Sequence, residues 1–132
     1  MLRAGGPTRS ERGRRAEQLA RRLLAAEGYV IERANVRYPV GEIDLIAREG
    51  ETLCFVEVRS ASSSRWGGAV SSVSPRKRGR VLQAARWYLA GLRRHPAQVR
   101  FDVVAVQWGV VASPSVTLLR GAWSADGHRV GW

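Results

Sequence analysis

The apolar positions of the chain change period several times, and each change marks an element. Ala16, Leu19, Ala20, Leu23 and Leu24 recur at the spacing of one helical face, which predicts a helix from about Arg14 to Glu27 with Gly28 as its C-cap. Tyr29–Val36 reads as a first strand, followed by a hairpin of Gly41–Arg48 and Thr52–Arg59 that turns at Gly50-Glu51. The serine- and glycine-rich stretch Ser60–Ser72 reads as a mobile loop. Ser74-Pro75 is an N-cap followed by proline at the first helical position. The helix it opens carries Val81, Ala85, Tyr88, Leu89 and Leu92 on one stripe and runs to about Arg94, where His95-Pro96 ends it. Val99–Trp108 reads as a strand with Phe101, Val103 and Ala105 on one face, and Ser115–Leu119 as a last short strand. The order α-β-β-β-α-β, with that optional final strand, predicts an α/β domain: a mixed central sheet with flanking helices. Residues 1–11 are expected to form a disordered basic arm, 12–121 a single domain and 122–132 a tail.

The predicted hairpin carries a carboxylate on each strand. Asp44 lies in Gly41-Glu42-Ile43-Asp44-Leu45-Ile46-Ala47 and Glu57 in Phe55-Val56-Glu57-Val58-Arg59. With Gly50-Glu51 at the turn, Asp44 faces Glu57 with Cβ atoms about 4.5–5.5 Å apart. The same register pairs Ile43 with Val58, Leu45 with Val56 and Ala47 with Cys54 as one continuous apolar face. On the other face it sets Glu42 against Arg59 and Ile46 against Phe55. A slip of one residue would exchange the faces of one strand and put Asp44 against Val56, so the apolar pattern and the carboxylate pairing support one register. Like charges so placed repel, and the pair needs a cation, a shared proton or another strong reason to persist. A divalent metal is the most economical reason.

At 132 residues the chain is long enough for one domain with a core of its own. Its formal charge of +11 favours a polyanionic partner, nucleic acid first and an anionic membrane surface second. No apolar run approaches the length of a membrane span, and residues Met1 to Arg15 lack the apolar core of a secretory signal. The single cysteine, Cys54, falls on the apolar face of its strand and reads as a small core residue of a protein in a reducing cytoplasm. His95 and His128 stand far apart, without metal-ligand spacing. Among 22 cationic residues Lys77 is the only lysine.

The element order, together with an Asp on the second strand and Glu-x-basic on the third, resembles the PD-(D/E)xK nuclease superfamily, whose core is that of restriction endonucleases. The segments Gly41 to Ala47, Phe55 to Arg59, Ala69 to Lys77 and Arg100 to Val104 resemble the UPF0102 (YraN-like) family of small bacterial proteins more closely, over roughly residues 12 to 121. That family is related in fold to archaeal Holliday-junction resolvases. The resemblance implies that Asp44 and Glu57, with the peptide carbonyl of Val58, hold Mg²⁺ or Mn²⁺ for phosphodiester hydrolysis in DNA. It also makes Glu17, on the first helix, the position matching an acidic residue of the related resolvases' sites. Alternatively Glu17 is a solvated carboxylate paired with Arg21 one turn on. A homodimer would follow by analogy, since a junction offers two symmetric cuts.

The superfamily's signature lysine, two residues after the glutamate, is Arg59 here. Arginine keeps its proton, so Arg59 is no general base, although its fork suits a phosphate. UPF0102-like sequences also tend to carry a basic residue where this chain has Ala61, and Arg65 in the following loop is a substitute. Ser74-Pro75-Arg76-Lys77-Arg78 places cations in the first turn of a helix, where the macrodipole disfavours them unless a phosphate docks there. Lys77 is also a candidate to stand in space for the missing sheet lysine. Arg65, Trp66, Arg76, Lys77 and Arg78 are therefore the expected nucleic-acid contacts, with Trp66 as a stacking platform. Asp102 reads first as a structural partner for an arginine. The leading expectation is a metal-dependent endonuclease. The alternative is a nucleic-acid-binding protein that keeps the fold without catalysis, and a scaffold held by salt bridges is third.

Overall fold

The computed structural model describes residues 9–61, 73–109 and 113–125. Within them a five-stranded sheet runs in the spatial order β1-β2-β3-β4-β5. The elements are α1 (Arg9–Ala26), β1 (Val30–Tyr38), β2 (Gly41–Glu49), β3 (Thr52–Ala61), α2 (Pro75–Ala90), β4 (Gln98–Gln107) and β5 (Ser115–Trp123). The sheet is mixed: β3 and β4 are parallel and the other neighbours antiparallel. Parallel neighbours need a crossover, and α2 lies in the connection between them. The α/β class and the predicted order both hold.

Each face of the sheet is covered by one helix. Ala16, Ala20 and Leu24 of α1 pack on Leu45, Ala47, Cys54, Val56, Val104 and Val106. Val81, Ala84 and Ala85 of α2 pack on Ile46, Leu53, Phe55, Phe101 and Val103. The strands beneath are therefore apolar on both sides, as a sheet sandwiched between helices requires. Cys54 is a buried, free core thiol, and burial pushes it up to about 12.

Three boundaries depart from expectation by more than two residues. Helix α2 stops at Ala90, capped by Gly91, whose N–H reaches back to the Tyr88 carbonyl at 3.1 Å. It ends before the predicted His95-Pro96 because the glycine cap acts first. Helix α1 begins at Arg9, earlier than the apolar spacing marks, since Arg9 to Gly13 carries no apolar residue from which a period could be read. Strand β5 extends to Trp123, well past Leu119, across a bulge between Phe101 and Val103. Ala122 and Trp123 are buried core residues, with Trp123 stacked on Phe101 at 4.0 Å between ring centroids. The bulge breaks the alternation that would have revealed them. The remainder of the expected arm (1–8), the loop at 62–72 and the tail at 126–132 lie outside the described residues.

The β2–β3 hairpin has the predicted register, from Glu49 opposite Thr52 to Leu45 opposite Val56. Gly50 takes a φ of +61°, as the first central residue of a type II′ hairpin turn does. Ile43, however, leaves the apolar face shared by Leu45 and Ala47 and joins the cluster under α2 along with Ile46. Ile43 and Ile46 have opposite parity, so strict alternation fails between them, at Asp44.

Candidate functional site

At that break the backbone ladder gives way to side chains. The Val58 N–H donates to Asp44 Oδ2 at 2.8 Å, and the Asp44 N–H donates to Glu57 Oε2 at 3.3 Å. Each carboxylate thus accepts from the opposite strand, which fixes the two groups side by side. Glu57 is 1% exposed, and its second oxygen, Oε1, is buried without a hydrogen bond. Lys77 Nζ lies 3.4 Å from that oxygen and 3.8 Å from Glu42 Oε1. Lys77 reaches the sheet because α2 starts beside it. The Ser74 side chain caps the helix by accepting from the Lys77 N–H at 3.2 Å. Gly41, at the start of β2, lies so close under Arg80 that an added Cβ would collide with the Arg80 carbonyl.

Burial and mutual repulsion set the electrostatics. Burial, and then the charge of Asp44, push the Glu57 carboxyl up to about 8, against the opposing pull of Lys77. Burial also raises Asp44, opposed by the Val58 N–H and the charges of Lys77 and Arg59. The ammonium offsets only part of the repulsion, and both carboxyls stay above their ordinary range. This arrangement is short of positive charge.

A third carboxylate on the sheet makes an instructive contrast. Asp102 is wholly buried, yet it accepts from Tyr29 Oη at 2.7 Å, Arg100 Nε at 2.8 Å, Arg100 Nη2 at 3.0 Å and the Gly121 N–H at 2.9 Å. Arg100 and Arg120 in turn share Glu49 at 2.7 and 2.6 Å. Asp102 is therefore the structural partner of an arginine, tying β4 to the β5 bulge and to Tyr29 after α1. Its charge is answered by donors on every side, whereas that of the Asp44–Glu57 pair is not.

The other expected site residues are distributed as follows. Arg59 adjoins the pair on β3, and its charge favours ionised Asp44. Glu17 is held by Arg21 at 3.2 Å on α1, the helix that covers the opposite face of the sheet from Lys77. Arg76 is exposed on the first turn of α2, while Arg78 Nη1 donates to the Val73 carbonyl at 3.0 Å. Arg65 and Trp66 lie outside the described residues. Glu42 was not anticipated at the site. It shares Lys77 with Glu57, stands 3.7 Å from Arg37, and its charge raises Asp44. Its link to the site is tertiary, through Lys77, and no local spacing signals it.

Among the described residues no group of three or more His, Cys, Asp or Glu side chains is arranged to hold a metal. A hard cation such as Mg²⁺ keeps several waters, so two carboxylates and a peptide carbonyl suffice. The unbonded, buried Glu57 Oε1 beside Asp44 is an oxygen donor of the kind such an ion takes. The residues present fit the group.

Residues 16–106 match the profile of the uncharacterised protein family UPF0102. The chain belongs to the UPF0102 family. Among its UPF0102 relatives, a protein of Desulfosudis oleivorans is 42% identical over 89% of this chain and 94% of its own length. One from Moorella thermoacetica is 46% identical over 75% of this chain and 82% of its own. One from Chlorobium limicola is 45% identical over 71% and 73%. The stretch matched to the UPF0102 profile runs from α1 through β4 and so contains Asp44, Glu57, Arg59 and Lys77.

Proposed function

We propose that the chain is a divalent-metal-dependent endonuclease that hydrolyses phosphodiester bonds in DNA. The observation that carries this reading is the Asp44–Glu57 pair, a half-buried and a buried carboxylate side by side, with one Glu57 oxygen that accepts no hydrogen bond and has the Lys77 ammonium 3.4 Å away. Asp44, Glu57 and the Val58 carbonyl would hold Mg²⁺ or Mn²⁺, which supplies water activation and charge neutralisation at a scissile phosphate. The hairpin fixes the spacing of the two acids before any substrate arrives. Arg59 keeps its proton and serves as a phosphate clamp rather than as a base. Exposed Arg76, at the start of α2, adds positive charge on the side from which Lys77 reaches the pair, and the net charge of +11 supports a polyanionic substrate. The reduced, buried Cys54 suits a cytoplasmic setting.

The second reading is a DNA-binding protein of the same fold without catalysis. Arg59 in place of the signature lysine and Ala61 in place of a basic residue favour it. Cleavage and binding measured together on branched, single-stranded and duplex DNA separate the two. Asp44→Asn and Glu57→Gln are expected to abolish Mg²⁺-dependent cleavage and to leave affinity equal or slightly higher, since negative charge is lost. Binding by the wild type with no cleavage on any of these DNAs in Mg²⁺ or Mn²⁺ decides for the second reading. No salt-sensitive binding at all removes both.

A further inference from the structure

Resting on that reading, we propose that Lys77 is the built-in counter-ion of this centre. Its ammonium competes with the divalent cation for Glu57, and Glu42 is the positioning residue that receives it when the cation binds.

The geometry has three parts. The only lysine of the chain places Nζ 3.4 Å from Glu57 Oε1, a buried oxygen with no hydrogen bond. The same Nζ lies 3.8 Å from Glu42 Oε1, so a second carboxylate is already within reach of the ammonium. Glu42 is 43% exposed, and its other oxygen faces Arg37 at 3.7 Å, which keeps it at the rim while Glu57 stays inside. A cation in the first turn of a helix is disfavoured by the macrodipole, so carboxylates opposite it are what make Lys77 favourable there. The ammonium is a point charge on a flexible four-carbon stem, able to shift between two acceptors without moving α2.

A divalent ion held by Glu57 and Asp44 would meet this ammonium as a like charge at short range, so one must yield. Lys77 moves toward Glu42 and stays at the mouth of the site as a positive group available to a phosphate. Metal binding in the absence of DNA is thereby weakened by Lys77, and Glu42 relieves that opposition.

The test is the affinity of the full chain for Mn²⁺ alone, read from the free-ion electron paramagnetic resonance signal, with folding checked by circular dichroism. Lys77→Met is expected to tighten Mn²⁺ binding by about tenfold or more, the scale of removing one like charge at this range. Lys77→Arg, which keeps the charge, stays within about threefold of wild type. Lys77→Gln gives the same tightening as Lys77→Met and replaces it if that variant does not fold. Glu42→Gln weakens binding more in the wild-type background than in Lys77→Met. A merely structural lysine would give unchanged or weaker binding on removal, and that result overturns the proposal while leaving the metal centre intact. Saturable binding that appears only in Lys77→Met or Lys77→Gln supports it. No Mn²⁺ binding by any of the proteins, with DNA absent or added, overturns both the proposal and the metal centre. Equal Glu42→Gln effects in both backgrounds remove Glu42 from its role.

Discussion

Asp102 and Glu57 are both buried carboxylates on central strands, yet substitution should affect them in opposite ways. Asp102 is answered by Arg100, Tyr29 and a backbone N–H, so Asp102→Ala takes one buried acceptor from all three at once, while Arg100 keeps its bond to Glu49. We expect a loss on the order of 3–5 kcal/mol in urea unfolding, with Mn²⁺ affinity unchanged for the protein that remains folded. Glu57 is raised in the folded state, chiefly by burial, so folding takes up a proton across the interval from its ordinary value to about 8. Its favourable contribution is complete below the unfolded value and is lost as pH rises through the folded one. In a chelating buffer the wild type should therefore lose stability as pH rises from the ordinary glutamate value of 4.5 to about 8. Glu57→Gln should be flatter across that range and more stable at pH 9 by on the order of 3 kcal/mol. Glu49 has the opposite sign. Its hydrogen bond from Arg120, and then that from Arg100, hold it low, so its contribution persists above the ordinary carboxylate range and fades on acidification.

At the scale of elements, the hairpin and the start of α2 bring the site together. Both were readable because they rest on local chemistry: a Gly-Glu turn, alternating apolar positions, and a Ser-Pro helix start. The ends of α2 and β5 were not, since a glycine cap and a bulge override periodicity. The displacement of Ile43 was hidden for a related reason. Asp44 and Glu57 trade backbone ladder bonds for side-chain ones, and no period announces that exchange. Gly41 marks where β2 passes beneath α2. Gly41→Ala should cost about 1–3 kcal/mol in denaturant unfolding by forcing helix and strand apart, and should also weaken metal binding by shifting the β2–β3 hairpin that carries the two acids. Ser74→Ala removes only the cap, about 1 kcal/mol, and serves as the control.

For the whole molecule, charge and fold speak to different questions. The α/β order was readable in the sequence because strands buried on both faces and amphipathic helices carry distinct patterns. The pairing of Lys77 with Glu57 joins elements distant in the chain, so no local pattern carries it, and the tie of Glu42 to Lys77 is tertiary in the same way. The charge of +11 belongs to partner binding rather than to folding. DNA affinity should fall steeply and linearly on a log–log plot against salt, and Arg76→Ala should shift it about equally for unrelated sequences while reducing the slope by about one. An unchanged slope would remove the start of α2 from the contact surface.

The central claim is that Asp44 and Glu57 form one divalent-cation site. Calorimetric titration of Mn²⁺ into the wild type and into the Asp44→Asn/Glu57→Gln double variant, with and without DNA, tests it most directly. Saturable binding by the wild type, abolished in the double variant while its fold and DNA affinity persist, is the predicted result. Equal binding by both proteins, or none by the wild type even with DNA present, would contradict it.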